Sequence, residues 1–111
     1  MKYCNNPYQQ IRLLSEEVSV GMLKMGGIHP LRVQSMTTAD TMDTQLSVEE
    51  SVRMIEAGCE LVRITAPSKN EAENLKEIKR ILQEKGFNQP LVADIHFTPN
   101  AAEIAAQHVE K

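Results

Sequence analysis

Cysteine is scarce: only Cys4 and Cys59 occur, far apart and in no CxxC or other metal-ligand spacing. That excludes a disulfide framework and a cluster site built from these thiols, and a reducing, cytoplasmic setting is the expectation. Long hydrophobic runs are missing too. No stretch approaches the roughly 18 consecutive apolar residues of a membrane span, and the arm around Lys2 and Arg12 holds no apolar core of secretory length. Neither export nor membrane insertion is expected. The third absence is an excess of positive charge, since 12 Lys and Arg face 15 Asp and Glu for a net charge of −3. Surfaces for nucleic acid or anionic lipid are usually basic, so neither is an expected partner and any phosphate must be met locally. What remains is ordinary globular text, 41% hydrophobic and 24% charged over 111 residues, enough for one domain or less with a modest core.

Residues 1–17 show no sustained period, which predicts an irregular arm with a short helical turn near Gln9 to Leu14. Val18 to Met25 alternates around Gly21 and runs into Gly26-Gly27, the pattern of a small β-hairpin that plugs or caps the main fold. A regular order then begins. Leu31–Met36, Leu61–Ala66 and Leu91–His96 read as strands whose starts lie thirty residues apart, the spacing of strand, helix and return loop.

The intervening stretches carry helix signals. Ser47-Val48-Glu49-Glu50 has the spacing of a capping box, Val48, Val52, Ile55 and Cys59 fall near one helical face, and Gly58 supplies a left-handed stop. A second helix opens near Ser68 or Asn70, buries Ala72, Leu75, Ile78 and Leu82, and stops at Gly86. A third starts at Thr98-Pro99 and packs through Ala102, Ala105, Ala106 and Val109. Three successive strand–helix units specify parallel strands with right-handed crossovers, hence a β/α barrel or a doubly wound sheet. A closed barrel needs eight units and about 250 residues, so the chain is expected to be a piece of a longer protein. Residues 18–111 would form its partial barrel domain.

Polar residues gather at the strand ends. On a strand, alternate side chains share a face, so Asp94 and His96 project together, away from Ala93 and Ile95. The same alternation sends Arg63 and Gln34 inward while Val62 and Ile64 meet the helices. Two ionisable groups at the carboxyl end of a buried strand need a partner, solvent or a site. Thr37 to Leu46 makes an unusually long loop with hydroxyls at Thr37, Thr38, Thr41 and Thr44, which can hold an anion or satisfy each other. Plainer readings stand beside these: Arg63 as a structural ion-pair partner of Asp94, His96 as a hydrogen-bonded structural histidine, His29 and His108 as surface residues, and Cys59 as a small core residue.

Taken in order, Pro30 to Thr38 as PLRVQSMTT, Gly58 to Thr65 as GCELVRIT, and Pro90 to Phe97 as PLVADIHF resemble the amino-terminal part of the 4-hydroxy-3-methylbut-2-enyl diphosphate synthase family. The wording MTTADT and VRITA is similar to the longer, plant-like form. The resemblance implies the amino-terminal part of a (β/α)8 TIM barrel, a hairpin and three βα units, with a separate domain holding a [4Fe–4S] cluster outside this chain. It implies an oxidoreductase of the non-mevalonate isoprenoid pathway that reductively opens 2-C-methyl-D-erythritol 2,4-cyclodiphosphate with electrons from ferredoxin or flavodoxin. Substrate-binding candidates are then Gln34, Thr37, Arg63, Asp94 and His96, with Asp94 and His96 as catalytic candidates and no metal ligand. Arg63 offers a planar, permanently charged fork to phosphate oxygens, Asp94 and His96 can hold it or the substrate, and an imidazole suits proton delivery.

The cluster cysteines of that family are not represented by Cys4 or Cys59, so the piece by itself is expected to be colourless and inactive. Two other readings stay open: a pterin- or phosphate-binding β/α barrel of non-redox chemistry using the same inward set, and a structural module with a satisfied polar core. The oligomeric state, a homo-oligomer included, is left undetermined by the residues.

Overall fold

The computed structural model describes residues 6–111. Cys4 and the first five positions of the expected arm lie outside them. Within the arm, Gln9 to Leu14 forms no helix, a correction that fits its lack of apolar period.

Regular structure starts with a hairpin, β1 (Val18–Val20) and β2 (Leu23–Met25), paired antiparallel with Val20 opposite Leu23. Gly21 supplies the positive φ (59°) required at the first central position of a type II′ turn. A Cβ on Gly26 would collide with the Glu16 backbone carbonyl, so only glycine lets the arm return against the hairpin.

The main sheet contains β3 (Gln34–Met36), β4 (Leu61–Thr65) and β5 (Leu91–Asp94), all parallel in the order β3-β4-β5. All three strands are shorter than expected, β4 only by Ala66. Leu31 to Val33 precede the ladder, which opens where the Val33 carbonyl accepts from the Glu60 and Leu61 amides. His96 lies beyond the end of β5. At the far edge of β5, Lys111 N donates to Leu91 O (3.3 Å) and Ala93 N donates to Lys111 O (2.8 Å), the slanted pattern of a parallel bridge.

Three helices cover one face: α1 (Thr44–Glu56), α2 (Lys69–Glu84) and α3 (Pro99–Ala105). The capping box expected at Ser47 is corrected: the N-cap is Asp43, whose carboxylate accepts from Leu46 N, while Ser47 Oγ donates to Asp40 O from inside the helix. Gly58 (φ 107°) and Gly86 (φ 88°) follow the ends of α1 and α2 in the left-handed region, as expected of C′ glycines. The α2 stripe Ala72, Leu75, Ile78 and Leu82 is fully buried against Val62, Ile64 and Leu91. The stripe of α3 is corrected to Ala101 and Ala105, with Ile104 and Val109 beside them; Ala102 and Ala106 face solvent.

The opposite sheet face is shared. At its amino-terminal end Leu61 and Val92 pack with Val20, Leu23 and Met25, so the hairpin plugs that end as expected. Beneath it, buried Lys79 of α2 pairs with Glu110 (2.6 Å), whose other oxygen accepts from Leu91 N (2.9 Å). A buried lysine without that carboxylate would be an unpaired charge, so the pair fixes how the chain after α3 returns to the sheet. The carboxyl-terminal end of the same face stays open.

Candidate functional site

Arg63 is the middle residue of β4, and Asp94 is the last of β5. The register sets Arg63 beside Val92 and Thr65 beside Asp94. Paired residues of neighbouring strands point the same way, so Arg63, Thr65 and Asp94 share the open face while Val62, Ile64 and Ala93 enter the helix layer.

Arg63 Nη2 lies 3.0 Å from Asp94 Oδ1, and His96 Nε2 lies 3.2 Å from Asp94 Oδ2. Each oxygen of one carboxylate thus meets a different side chain. The Asp94 side chain is only 14% exposed, whereas Arg63 is 41% and His96 53% exposed. The acid therefore sits beneath, and the two nitrogen-bearing groups turn outward. The Arg63 guanidinium beside Asp94 holds its carboxyl below the usual carboxylate range; burial opposes this and His96 reinforces it. With one terminal nitrogen turned to Asp94, Arg63 retains N–H donors for a ligand at the rim.

The other expected site residues lie elsewhere. Gln34 opens β3 and is aligned with Leu61, two positions short of Arg63 and four short of the Thr65–Asp94 pair. It shares the face but occupies the hairpin end, because parallel register and not strand numbering decides which residues lie level. Thr37 donates its amide to Arg63 O (3.0 Å), continuing the ladder one step past Met36. Alternation turns its side chain to the helix side, where it is 5% exposed with a hydroxyl that has no partner. Neither residue joins the Arg63–Asp94–His96 group.

Apart from the Thr37 hydroxyl, the loop before α1 is held by side chains of α1 and α2 and not by an anion. Glu50 accepts from Thr38 N (2.9 Å), Thr38 Oγ1 (2.6 Å) and Ala39 N (2.9 Å). Thr41 Oγ1 donates to Thr65 O (2.6 Å), and Asn74 Nδ2 donates to Thr41 O (2.7 Å). A carboxylate already holds the donors that an anion would need. These clamps from α1 and α2 carry no sequence signal, since a solvated Glu or Asn on a helix reads the same way.

Among the described residues no three His, Cys, Asp or Glu side chains come close enough to hold a metal ion. Cys59 is buried, and its thiol contacts the Leu61 carbonyl oxygen at 2.8 Å. These residues do not fit an iron–sulfur cluster.

Parallel strands covered by helices on one side, with an ion-paired arginine, acid and histidine at the carboxyl-terminal rim of the other, define a segment of a β/α-barrel protein. The chain belongs to the GcpE TIM-barrel domain family, which it matches over residues 15–111. It is 50% identical over 109 residues to the 4-hydroxy-3-methylbut-2-en-1-yl diphosphate synthase (flavodoxin) of Akkermansia muciniphila, covering 98% of this chain and 19% of that protein. It is 46% identical over 110 residues to the flavodoxin-type synthase of Leptospira interrogans, covering 99% of this chain and 17% of that protein. Against the chloroplastic ferredoxin-type synthase of Oryza sativa it is 44% identical over 110 residues, covering 99% of this chain and 15% of that protein. The chain therefore spans less than a fifth of the length of these curated relatives.

Proposed function

We propose that this chain supplies the first part of the substrate pocket of a 4-hydroxy-3-methylbut-2-enyl diphosphate synthase, an oxidoreductase of isoprenoid biosynthesis. The observation that carries the reading is the Arg63–Asp94–His96 group at the open carboxyl-terminal rim of a chain in this family. In this reading Arg63 receives the diphosphate oxygens of 2-C-methyl-D-erythritol 2,4-cyclodiphosphate. Its charge is permanent and its fork matches the geometry of phosphate. Asp94 keeps the guanidinium aimed at the rim and stays ionised while doing so. His96, half-exposed beside that carboxylate, is placed to hold the substrate or move a proton at its free ring nitrogen. Gln34 and Thr37 serve the frame of the pocket and make no contact with substrate.

The reduction draws on a [4Fe–4S] cluster, which we place on protein outside this chain because the residues here offer no ligand set. The electron donor is flavodoxin or ferredoxin, following the relatives' names. The relatives extend beyond a barrel: 109 residues make up 19% of the Akkermansia relative, which is then about 570 residues long, more than the roughly 250 of a barrel alone. No helix among the described residues is long and apolar enough to cross a membrane. The free thiol of Cys59 fits a reducing, cytoplasmic place for the protein.

The test is calorimetric titration of the full-length protein with the cyclic diphosphate. Saturable binding is expected, weakened roughly 10- to 100-fold in Arg63→Ala, in line with about 1.5–3 kcal/mol for hydrogen bonds to a charged group. Unchanged affinity in that variant would reject the assignment.

A further inference from the structure

Aromatic side chains are rare in this protein, which has no tryptophan, two phenylalanines and two tyrosines. One of them, Phe97, is fully exposed at 102% and carries a φ of 56°, making it the only described non-glycine residue with positive φ. A bulky side chain rarely adopts that conformation, because its Cβ crowds the following carbonyl. The position explains what the conformation achieves. Ala93 and Ile95 pack into the helix layer, so continued strand geometry would turn residue 97 the same way. The left-handed step breaks that alternation, and the ring stands in solvent one residue after His96.

The step is held from both sides. Thr98 Oγ1 reaches Pro67 O (3.0 Å) and His96 O (3.1 Å), and Pro99 fixes the first position of α3. Pro67 lies just past the end of β4, the strand that carries Arg63. One hydroxyl therefore ties the loops after β4 and β5 together and leaves Phe97 at the rim beside the charged group. Strain held by its surroundings next to a candidate site is an observation from which function can be argued.

We propose that Phe97 is a specificity-determining, substrate-contacting residue whose ring covers the carbon skeleton of the substrate while Arg63 takes its phosphate oxygens. This rests on the substrate assigned above and adds to it the second half of the recognition. A cyclic diphosphate of a methylated polyol presents a charged edge and a carbon face. The rim offers a cation for the first and an exposed aromatic for the second, and the outward ring loses water-exposed apolar surface only when that face arrives.

The informative variant is Phe97→Gly in the full-length enzyme, because glycine relieves the left-handed backbone while deleting the ring. The expected result is an unchanged or raised Tm, a KM for the cyclic diphosphate roughly tenfold higher, and unchanged competitive inhibition by inorganic diphosphate, which has no carbon face. Phe97→Leu is expected to recover part of the lost affinity. Arg63→Ala, run in parallel, is expected to weaken both the cyclic substrate and inorganic diphosphate. A lowered Tm in Phe97→Gly would show that the ring packs within the rest of the barrel, and an unchanged KM would show that it touches no substrate; either overturns the proposal. If Arg63→Ala leaves both ligands unaffected, the substrate assignment fails, whatever Phe97→Gly does.

Discussion

Asp94 sits between a permanent cation and an imidazole, and its carboxyl is held below the usual range chiefly by Arg63. A carboxyl depressed in the folded state contributes stability that is fully present above its unfolded value, about 3.9, and is lost as pH falls through the folded one. Glu17, lowered mainly by Lys24, and Glu50, lowered mainly by Thr38, act in the same acid window. The contribution of Asp94 is therefore read as a difference. Asp94→Asn is expected to lose on the order of 1 kcal/mol at neutral pH, the scale of a partly solvated ion pair. It should then converge on the parent as the medium is acidified below the ordinary carboxylate range. Urea denaturation at stepped pH measures this, and a constant offset at every pH would show that Asp94 acts through packing alone. The trio itself was legible in the sequence, since ADIH after an apolar run places acid and imidazole two residues apart and VRIT places arginine on the neighbouring strand. The left-handed conformation of Phe97 was not legible, because nothing in the residue types announces where a backbone turns that way.

Among the elements, α1 shows how a local signal yields to a tertiary demand. Ser47 and Glu50 have the spacing of a capping box, but the helix starts earlier at Asp43, and Glu50 instead takes three donors of the loop after β3. Those backbone amides have no ladder partner once β3 ends, and the Glu50 carboxylate is free to serve them because Asp43 already caps the helix. Glu50→Ala is expected to destabilise the protein by about 1 kcal/mol. It should also accelerate hydrogen exchange at the Thr38 and Ala39 amides while leaving those of β4 protected. Equal acceleration across β4 would mean that the clamp supports the whole sheet and not the loop alone. The stripes of α2 were readable because its residues are large and spaced by helical turns. The stripe of α3 was not, since three of its seven residues are alanines on different sides, and so small a side chain marks no face clearly.

At the scale of the whole molecule, the thirty-residue recurrence of strand starts was enough to specify parallel βα units, whereas register was invisible. Gln34 therefore joined the site by strand counting, and the ladder moved it to the hairpin end. The resulting body is an open slab with a radius of gyration of 16.2 Å, against roughly 13 Å for a compact chain of this length. Its exposed margin is β3, where Leu31 is 85% and Val33 56% exposed beside a strand with no outer neighbour among the described residues. Unpaired amides and carbonyls flanked by apolar side chains form a template for another strand. In a closed barrel that margin would be occupied by a further strand. Prepared by itself, the 111-residue chain is expected to self-associate through it, with sedimentation velocity showing heavier species as concentration rises. Val33→Lys places a charge on the edge without touching the carbonyl that accepts from Glu60 and Leu61, so the variant should stay monomeric at concentrations where the parent associates. Equal association of both would move the contact from the outer edge of β3 to the open sheet face, where Met36 lies level with Arg63, and Met36→Lys would then be the variant that disperses it.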